Sequence, residues 1–322
     1  MSVWRRIGEQ RAGYLFDLSD SIAVVEARHP DLLVAVSSGS MIVASDYSGQ
    51  HKEATHEAYS FVVTTDGALN AWLPSLKVFR DRWLPDGRRI SFKKLNEPVR
   101  WRALPSFLDL AGNLEGNLIT ILVDRRVGSF MLGGPSVAKE AFVDCFPANA
   151  GAGTIEKMLR LASFVSMILS GFRREDQLSF WISDHDEALD SYEKRELFGR
   201  LSTYLTFGVT GWRCPANHIF GTTETPDAPY WSEDLAAVAD LAAGAYCQMS
   251  PHLPAFLGDV GEKTWQVRMA STDVESLRAR TIGDWLAKGG GALRHLLLRL
   301  ELDINLEVRA SAQAFRARQS GT

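Results

Sequence analysis

The run Ser40-Met41-Ile42-Val43-Ala44-Ser45-Asp46-Tyr47-Ser48-Gly49 is the point from which the chain can be read. Its first six residues form a short apolar, β-branched segment of strand length. Asp46-Tyr47-Ser48-Gly49 then reads as a polar turn. Two more apolar segments end in the same way. Leu118–Val123 (LITILV) runs into Asp124, and Gln177–Ser183 (QLSFWIS) runs into Asp184, with His185, Asp186 and Glu187 behind it. An acid that opens a turn is often no more than a turn former. Three strand ends that each finish in a carboxylate can instead bring acids to one edge of a sheet.

Working outward, Ala58–Thr65 (AYSFVVTT) is a second strand closed by Asp66-Gly67, a common turn signal. Leu69–Trp83 carries apolar residues at helical spacing and stops at Pro85-Asp86-Gly87. Arg89–Leu95 (RISFKKL) alternates like a half-buried strand, and Pro98–Leu114 reads as a helix. A long amphipathic helix is expected over Thr154–Ser170, with Thr154 as N-cap. Another is expected near Tyr192–Tyr204. Gly208–Pro229 reads as a Gly/Pro/Thr-rich loop, and a further helix begins at Ser232 as N-cap, with Glu233 and Asp234 in its first turn. Past Pro251 the chain reads as mostly helical. The expected fold is therefore α/β. Strands 40–45, 58–65 and 89–95 form an antiparallel meander, and strands 118–123 and 177–183 add in parallel through crossovers, with helices on the sheet faces.

Asp240 is a fourth notable acid. It lies inside the Ala/Leu-rich helix Leu235–Ala245, with only Glu233 and Asp234 as charged neighbours within ten residues. A buried carboxylate without a partner is costly, so a cation from elsewhere in the fold is expected. Several carboxylates at one sheet edge suit hard divalent ions that take oxygen ligands. Two such ions can activate water and stabilise the leaving oxygen of a phosphodiester.

Charge is distributed unevenly. The 322-residue chain has a net charge of −4, which excludes a uniformly basic nucleic-acid binder. Between Lys77 and Arg102, however, nine basic residues face three acids, with Phe79, Trp83, Phe92 and Trp101 interleaved. Basic residues hold phosphates and exposed aromatics stack bases, which makes Arg89, Lys93, Lys94, Arg100 and Arg102 the candidate nucleic-acid contacts. Three scattered cysteines without a CxxC pair argue against a disulfide framework or a structural zinc site, and point to a reducing cytoplasm. The hydrophobic content of 46% and charged content of 23% are ordinary for a globular chain. No segment reads as a leader or a membrane span. No GxGxxG, P-loop, GxSxG or HExxH motif occurs.

Asp46-x-Ser-Gly at the first strand end, Asp184-His-Asp-Glu at a later one, and the helix Ala239-Asp240-Leu-Ala-Ala-Gly-Ala together resemble the ribonuclease H-like superfamily. More narrowly, they resemble a group of uncharacterised bacterial proteins with an Asp-Glu-Ser-Gly first strand and an Ala-Asp-Leu-type final helix. The resemblance covers about residues 40 to 247. It implies a ribonuclease H-like domain over 38–250, between an N-terminal helical segment (1–37) and a helical C-terminal extension (251–322). It also implies that Asp46, Asp184 and Asp240 are catalytic and hold Mg²⁺ or Mn²⁺. The group has Glu where this chain has Tyr47. It also has an acid near the third strand, where this chain reads Phe92-Lys93-Lys94-Leu95-Asn96-Glu97. Asp124, Asp186 and Glu97 are the candidates for a remaining ligand. The implied function is two-metal-ion cleavage of DNA or RNA. The rival is a catalytically inactive module of the same fold that binds nucleic acid or a protein partner, in a bacterial defence or mobile-element system.

Overall fold

Strand β1 (Met41–Ser48) is the hub of the molecule in a computed structural model that describes residues 2–8, 13–36, 38–49, 54–174, 176–184, 186–210, 218–223, 230–253, 274–289 and 291–315. It pairs antiparallel with β2 (His56–Thr65), which pairs antiparallel with β3 (Gly116–Asp124). On its other side β1 pairs in parallel with β4 (Ser179–Ser183), and β4 with β5 (His218–Thr222). Beyond β3 lie β6 (Leu293–Leu302), parallel to it, and β7 (Val308–Ala314), antiparallel to β6. The result is one mixed seven-stranded sheet in the order β5-β4-β1-β2-β3-β6-β7.

Side-chain alternation along the central strands builds two cores. Met41, Val43, Tyr47, Tyr59, Phe61, Ile119 and Ile121 face α1 (Tyr14–Arg28), α5 (Ala152–Phe172) and α6 (Tyr192–Thr210), and α4 (Gly134–Ala141) joins this side through Ala138. Ile42, Ala44, Ala58, Val62, Leu118 and Leu122 face the other side. They pack against α2 (Asp66–Trp83), α3 (Pro98–Gly112), α7 (Tyr230–Met249) and α8 (Val274–Lys288). With both faces covered, the central strands are buried along most of their length; every residue of β3 is buried. No helix among the described residues is long and apolar enough to cross a membrane.

The α/β class and the mixed sheet agree with expectation, but five segments differ. Asp46–Ser48 is not a turn; it continues β1 and pairs with Ala58–Ser60, because β2 is long enough to cover it. Arg89–Leu95 is not a strand; it ends in a 3₁₀ turn, Phe92–Lys94, packed on α7. Its alternation reflects Ile90 and Leu95 anchoring into the helical layer, not a pleat. Leu118–Val123 is therefore the third meander strand and runs antiparallel to β2, not as a parallel addition. His218–Thr222 is a short edge strand inside a region expected to be loop. The extension 251–322 is not wholly helical: after α8 it supplies β6 and β7, because Leu296 to Leu300 is apolar enough to lie beside β3.

Two helix starts also shift. The N-cap of α5 is Gly151 rather than Thr154, and Ser232 is buried inside α7 rather than capping it.

Candidate functional site

Three acids, one from each of three elements, meet where the parallel strands end. Asp46 shares the face of Ile42 and Ala44, toward α7. Beside it the β1–β4 register continues from Ser45 and Ser183, and the Asp184 amide donates to the Ser45 carbonyl at 2.9 Å. Asp184 is thus one strand spacing from Asp46, about 4.8 Å, and Asp46 Oδ1 accepts from the Tyr47 amide at 2.5 Å. Asp240 projects from α7, which packs across β1. Burial, reinforced by the negative charges of Asp240 and Asp184, pushes the Asp46 carboxyl well above the usual carboxylate range. Burial also pushes Asp240 up, with Asp184 adding to it. Hydrogen bonds from the Phe92 amide and the Ser91 hydroxyl, and the charge of Arg89, work in the opposite direction.

The segment that holds Asp240 is itself held by α7. The Phe92 amide donates to Asp240 Oδ2 at 2.7 Å. One turn along α7, Gly244 leaves the space that the Phe92 ring fills; a Cβ there would lie 2.3 Å from Phe92 Cγ. The small residues around Asp240 are what allow the loop to come this close. Arg278 of α8 closes over the ring at 5.5 Å and donates to the Phe92 carbonyl at 3.1 Å.

The basic stretch divides into two kinds of cation. Arg80 is buried. It donates to both oxygens of the buried Asp234, at 2.9 and 2.7 Å, and to the carbonyls of Gly87 and Arg88. Arg100 is buried too; it bonds to Glu97 and donates to the Arg89 carbonyl at 2.8 Å. Between them they pin the backbone of residues 87–89. Arg89, half-buried, donates to Asp184 Oδ1 at 2.7 Å, an oxygen that also accepts from Thr223 Oγ1 at 2.7 Å. Its guanidinium is held above its ordinary pKa: burial opposes this, but the charges of Asp184, Glu233 and Asp240 outweigh it. Lys93, Lys94 and Arg102 are exposed, and the two lysines directly follow the residue that bonds Asp240.

The structure does not bring the other acids to this group. Asp124 lies four residues beyond the position level with Asp46 and two strands away, about 13 Å along and about 10 Å across. It bonds Arg126 and caps the following 3₁₀ turn. Asp186 lies on the opposite face, ion-paired with Lys157 in a cavity of about 380 Å³ also lined by Tyr47, Glu57, Tyr59 and Arg160. Glu97 sits at the N-terminus of α3 and pairs with Arg88 and Arg100. Sequence reasoning did not pick out Ser91, Phe92, Thr223 or Gly244 as site residues. The Gly244 spacing, four residues after Asp240 on a small-residue helix face, was the signal available for the helix contact.

Among the described residues, no three His, Cys, Asp or Glu side chains stand together in ligating positions. Asp184 accepts from Arg89 and Thr223, and Asp46 from the Tyr47 amide. The three carboxyls are nevertheless of the oxygen-donor type that a hard divalent cation takes. Two of these carboxyls are driven toward protonation, chiefly by burial and further by their carboxylate neighbours. Compared with protein-family models and with curated protein sequences, the chain matches none.

Proposed function

We propose that the chain is a metal-dependent nuclease of ribonuclease H-like fold, with Asp46, Asp184 and Asp240 holding Mg²⁺ or Mn²⁺ and hydrolysing phosphodiester bonds of DNA or RNA. The observation that carries this reading is the convergence of three acids from β1, the end of β4 and the interior of α7 on one edge, with a single guanidinium among them. The antiparallel meander β1–β2–β3, with β4 and β5 added in parallel beyond β1, supports the fold.

Bound divalent ions would polarise the phosphoryl oxygens and lower the pKa of a bound water. The chain's own residues prepare for this. The Phe92 amide donates to Asp240 Oδ2 and orients that carboxylate for a cation. Asp46 and Asp184 stand at neighbouring positions of β1 and the end of β4, and a divalent cation bound there would favour their ionised forms. Exposed Lys93 and Lys94 directly follow Phe92, whose amide bonds Asp240, and would retain a phosphate backbone there.

Cleavage of labelled single- and double-stranded DNA and RNA in Mn²⁺ or Mg²⁺, with Asp240→Asn as control, tests the proposal. Metal-dependent cleavage that Asp240→Asn abolishes supports it. Binding of nucleic acid without cleavage in any metal supports the inactive module instead, a reading favoured by Arg89 on Asp184 and by Tyr47 beside Asp46.

A further inference from the structure

Behind Asp46, on the face of the sheet turned away from α7, side chains join the ends of β1 and β4. Trp181 Nε1 donates to Ser45 Oγ at 2.9 Å, Ser45 Oγ lies 2.7 Å from the Tyr47 hydroxyl, and that hydroxyl lies 2.8 Å from Ser183 Oγ. Ser183 Oγ in turn donates to the Asp184 carbonyl at 3.0 Å. All four side chains are buried. A hydroxyl has one proton to give, and an indole nitrogen can only donate. Ser183 gives its proton to the Asp184 carbonyl, so it accepts from Tyr47. Tyr47 therefore accepts from Ser45, and Ser45 from Trp181. The direction of every bond is fixed, and each hydroxyl both gives and receives. Burial pushes the Tyr47 phenol above its ordinary pKa, which retains the proton that this order needs. Asp184 is thereby held on both sides of its Cα: its amide donates to the Ser45 carbonyl at 2.9 Å, and its carbonyl accepts from Ser183.

We propose that Tyr47 is a positioning residue: its hydroxyl closes a one-way string of hydrogen bonds from Trp181 to the Asp184 carbonyl, and so fixes the backbone of Asp184 against that of Asp46. The nuclease reading enters only as the use made of the two acids, and the string itself needs no bound ion. Tyr47 follows Asp46 directly in β1, yet its ring carries the hydroxyl across to Ser183 of β4. Members of such a string polarise one another, so losing the central hydroxyl weakens the outer bonds as well. Tyr47→Phe keeps the ring, but it leaves Ser183 without this donor and the Ser45 proton without this acceptor.

Amide hydrogen exchange followed by NMR in wild type, Tyr47→Phe, Ser183→Ala and the double variant provides the test. The Asp184 amide reports on the β1–β4 contact at the acids. The Met41 amide, which donates to the Leu178 carbonyl at 2.9 Å, reports on it at the far end of the same strand pair. Tyr47→Phe is expected to speed exchange at Asp184 by about tenfold and to leave Met41 unchanged, in line with the loss of a buried hydrogen bond. Ser183→Ala should do the same, and the double variant no more than either alone, because both cut one string. Unchanged exchange at Asp184, an equal rise at Met41, or additive effects would overturn the proposal. Should Tyr47→Phe fail to fold, Ser45→Ala with Ser183→Ala carries the same comparison. In the cleavage assay Tyr47→Phe is expected to lower kcat by about tenfold with KM unchanged. A raised KM with kcat intact would place Tyr47 in substrate binding and overturn the positioning role. A wild type that cleaves nothing removes the nuclease reading, while the exchange result still decides for or against the string.

Discussion

Asp46 and Asp240 are acids that the folded protein holds in an unfavourable state when ionised. Both have carboxyls pushed above their ordinary range, chiefly by burial. An acid whose pKa rises on folding binds its proton more tightly in the folded state. Its contribution to stability is therefore full below the unfolded pKa, near 3.8, and is lost as pH rises through the folded value. Asp46→Asn removes that penalty. It is expected to raise the metal-free melting temperature at neutral pH by about 2 °C or more and to flatten its decline with pH above 4. A lower melting temperature for Asp46→Asn would show the carboxyl to be structural. Asp240→Asn should leave metal-free stability equal or higher, since the amide oxygen can still accept from Phe92, while any melting-temperature gain from Mn²⁺ disappears. A large loss without metal, with the Mn²⁺ response intact, would remove Asp240 from the site.

At the scale of elements, α7 is organised by two acids with different partners. Asp234 is fully buried against Arg80 of α2, and burial still holds its carboxyl above the usual range. Arg80→Ala would leave that acid without its partner and should cost about 3–5 kcal/mol in denaturant unfolding; a cost below 1 kcal/mol would mean that the pair does not join α2 to α7. Six residues on, Asp240 depends on a loop that comes close only because Gly244 has no side chain. Gly244→Ala places a methyl group 2.3 Å from Phe92 Cγ, so the ring must move. The expected cost is about 1–3 kcal/mol, together with loss of the Phe92 amide bond to Asp240. Amide exchange at Phe92 reads this directly, and unchanged protection would mean that the loop adapts without releasing the acid.

For the whole molecule, pH and salt act on different parts. His218 and His295 are each held down to about 4 by burial, with the charge of Arg173 adding to the effect at His218. A base whose pKa falls on folding costs stability once the unfolded chain protonates, so these two reduce stability as pH drops from 6.5 toward 4. Over the same range Asp46 and Asp240 act in the opposite direction. The acid-side melting curve should therefore steepen in the Asp46→Asn protein, and an identical curve would mean that the acids do not titrate there. Salt acts at the exposed lysines. Replacing Lys93 and Lys94 with Ala should reduce the log–log salt slope of duplex DNA binding by about 0.9 for each lost phosphate contact. An unchanged slope would direct attention to Arg102 and the rest of the surface.

Local sequence determined the apolar start of β1, β2, the central apolar run of β3, the helix carrying Asp240, and the α/β class, but not that β1 runs on through Asp46 to Ser48. These features depend on side-chain alternation, apolar run length and turn residues, which act over a few neighbours. Tertiary structure decided the partner of each acid. Asp46, Asp184 and Asp240 are 56 to 194 residues apart in sequence, and they meet through strand register and the packing of α7 on β1. The same strand-end pattern put Asp124 forward, yet two strand spacings and four residues separate it from the group. The basic stretch looked uniform in sequence. Burial then turned Arg80 and Arg100 into loop anchors, set Arg89 on Asp184 and left Lys93 and Lys94 in solvent. Arg89–Leu95 and Leu293–Leu302 were misread for one reason: alternation and apolarity report that a segment is anchored, whereas only the fold supplies the helix or strand against which it is anchored.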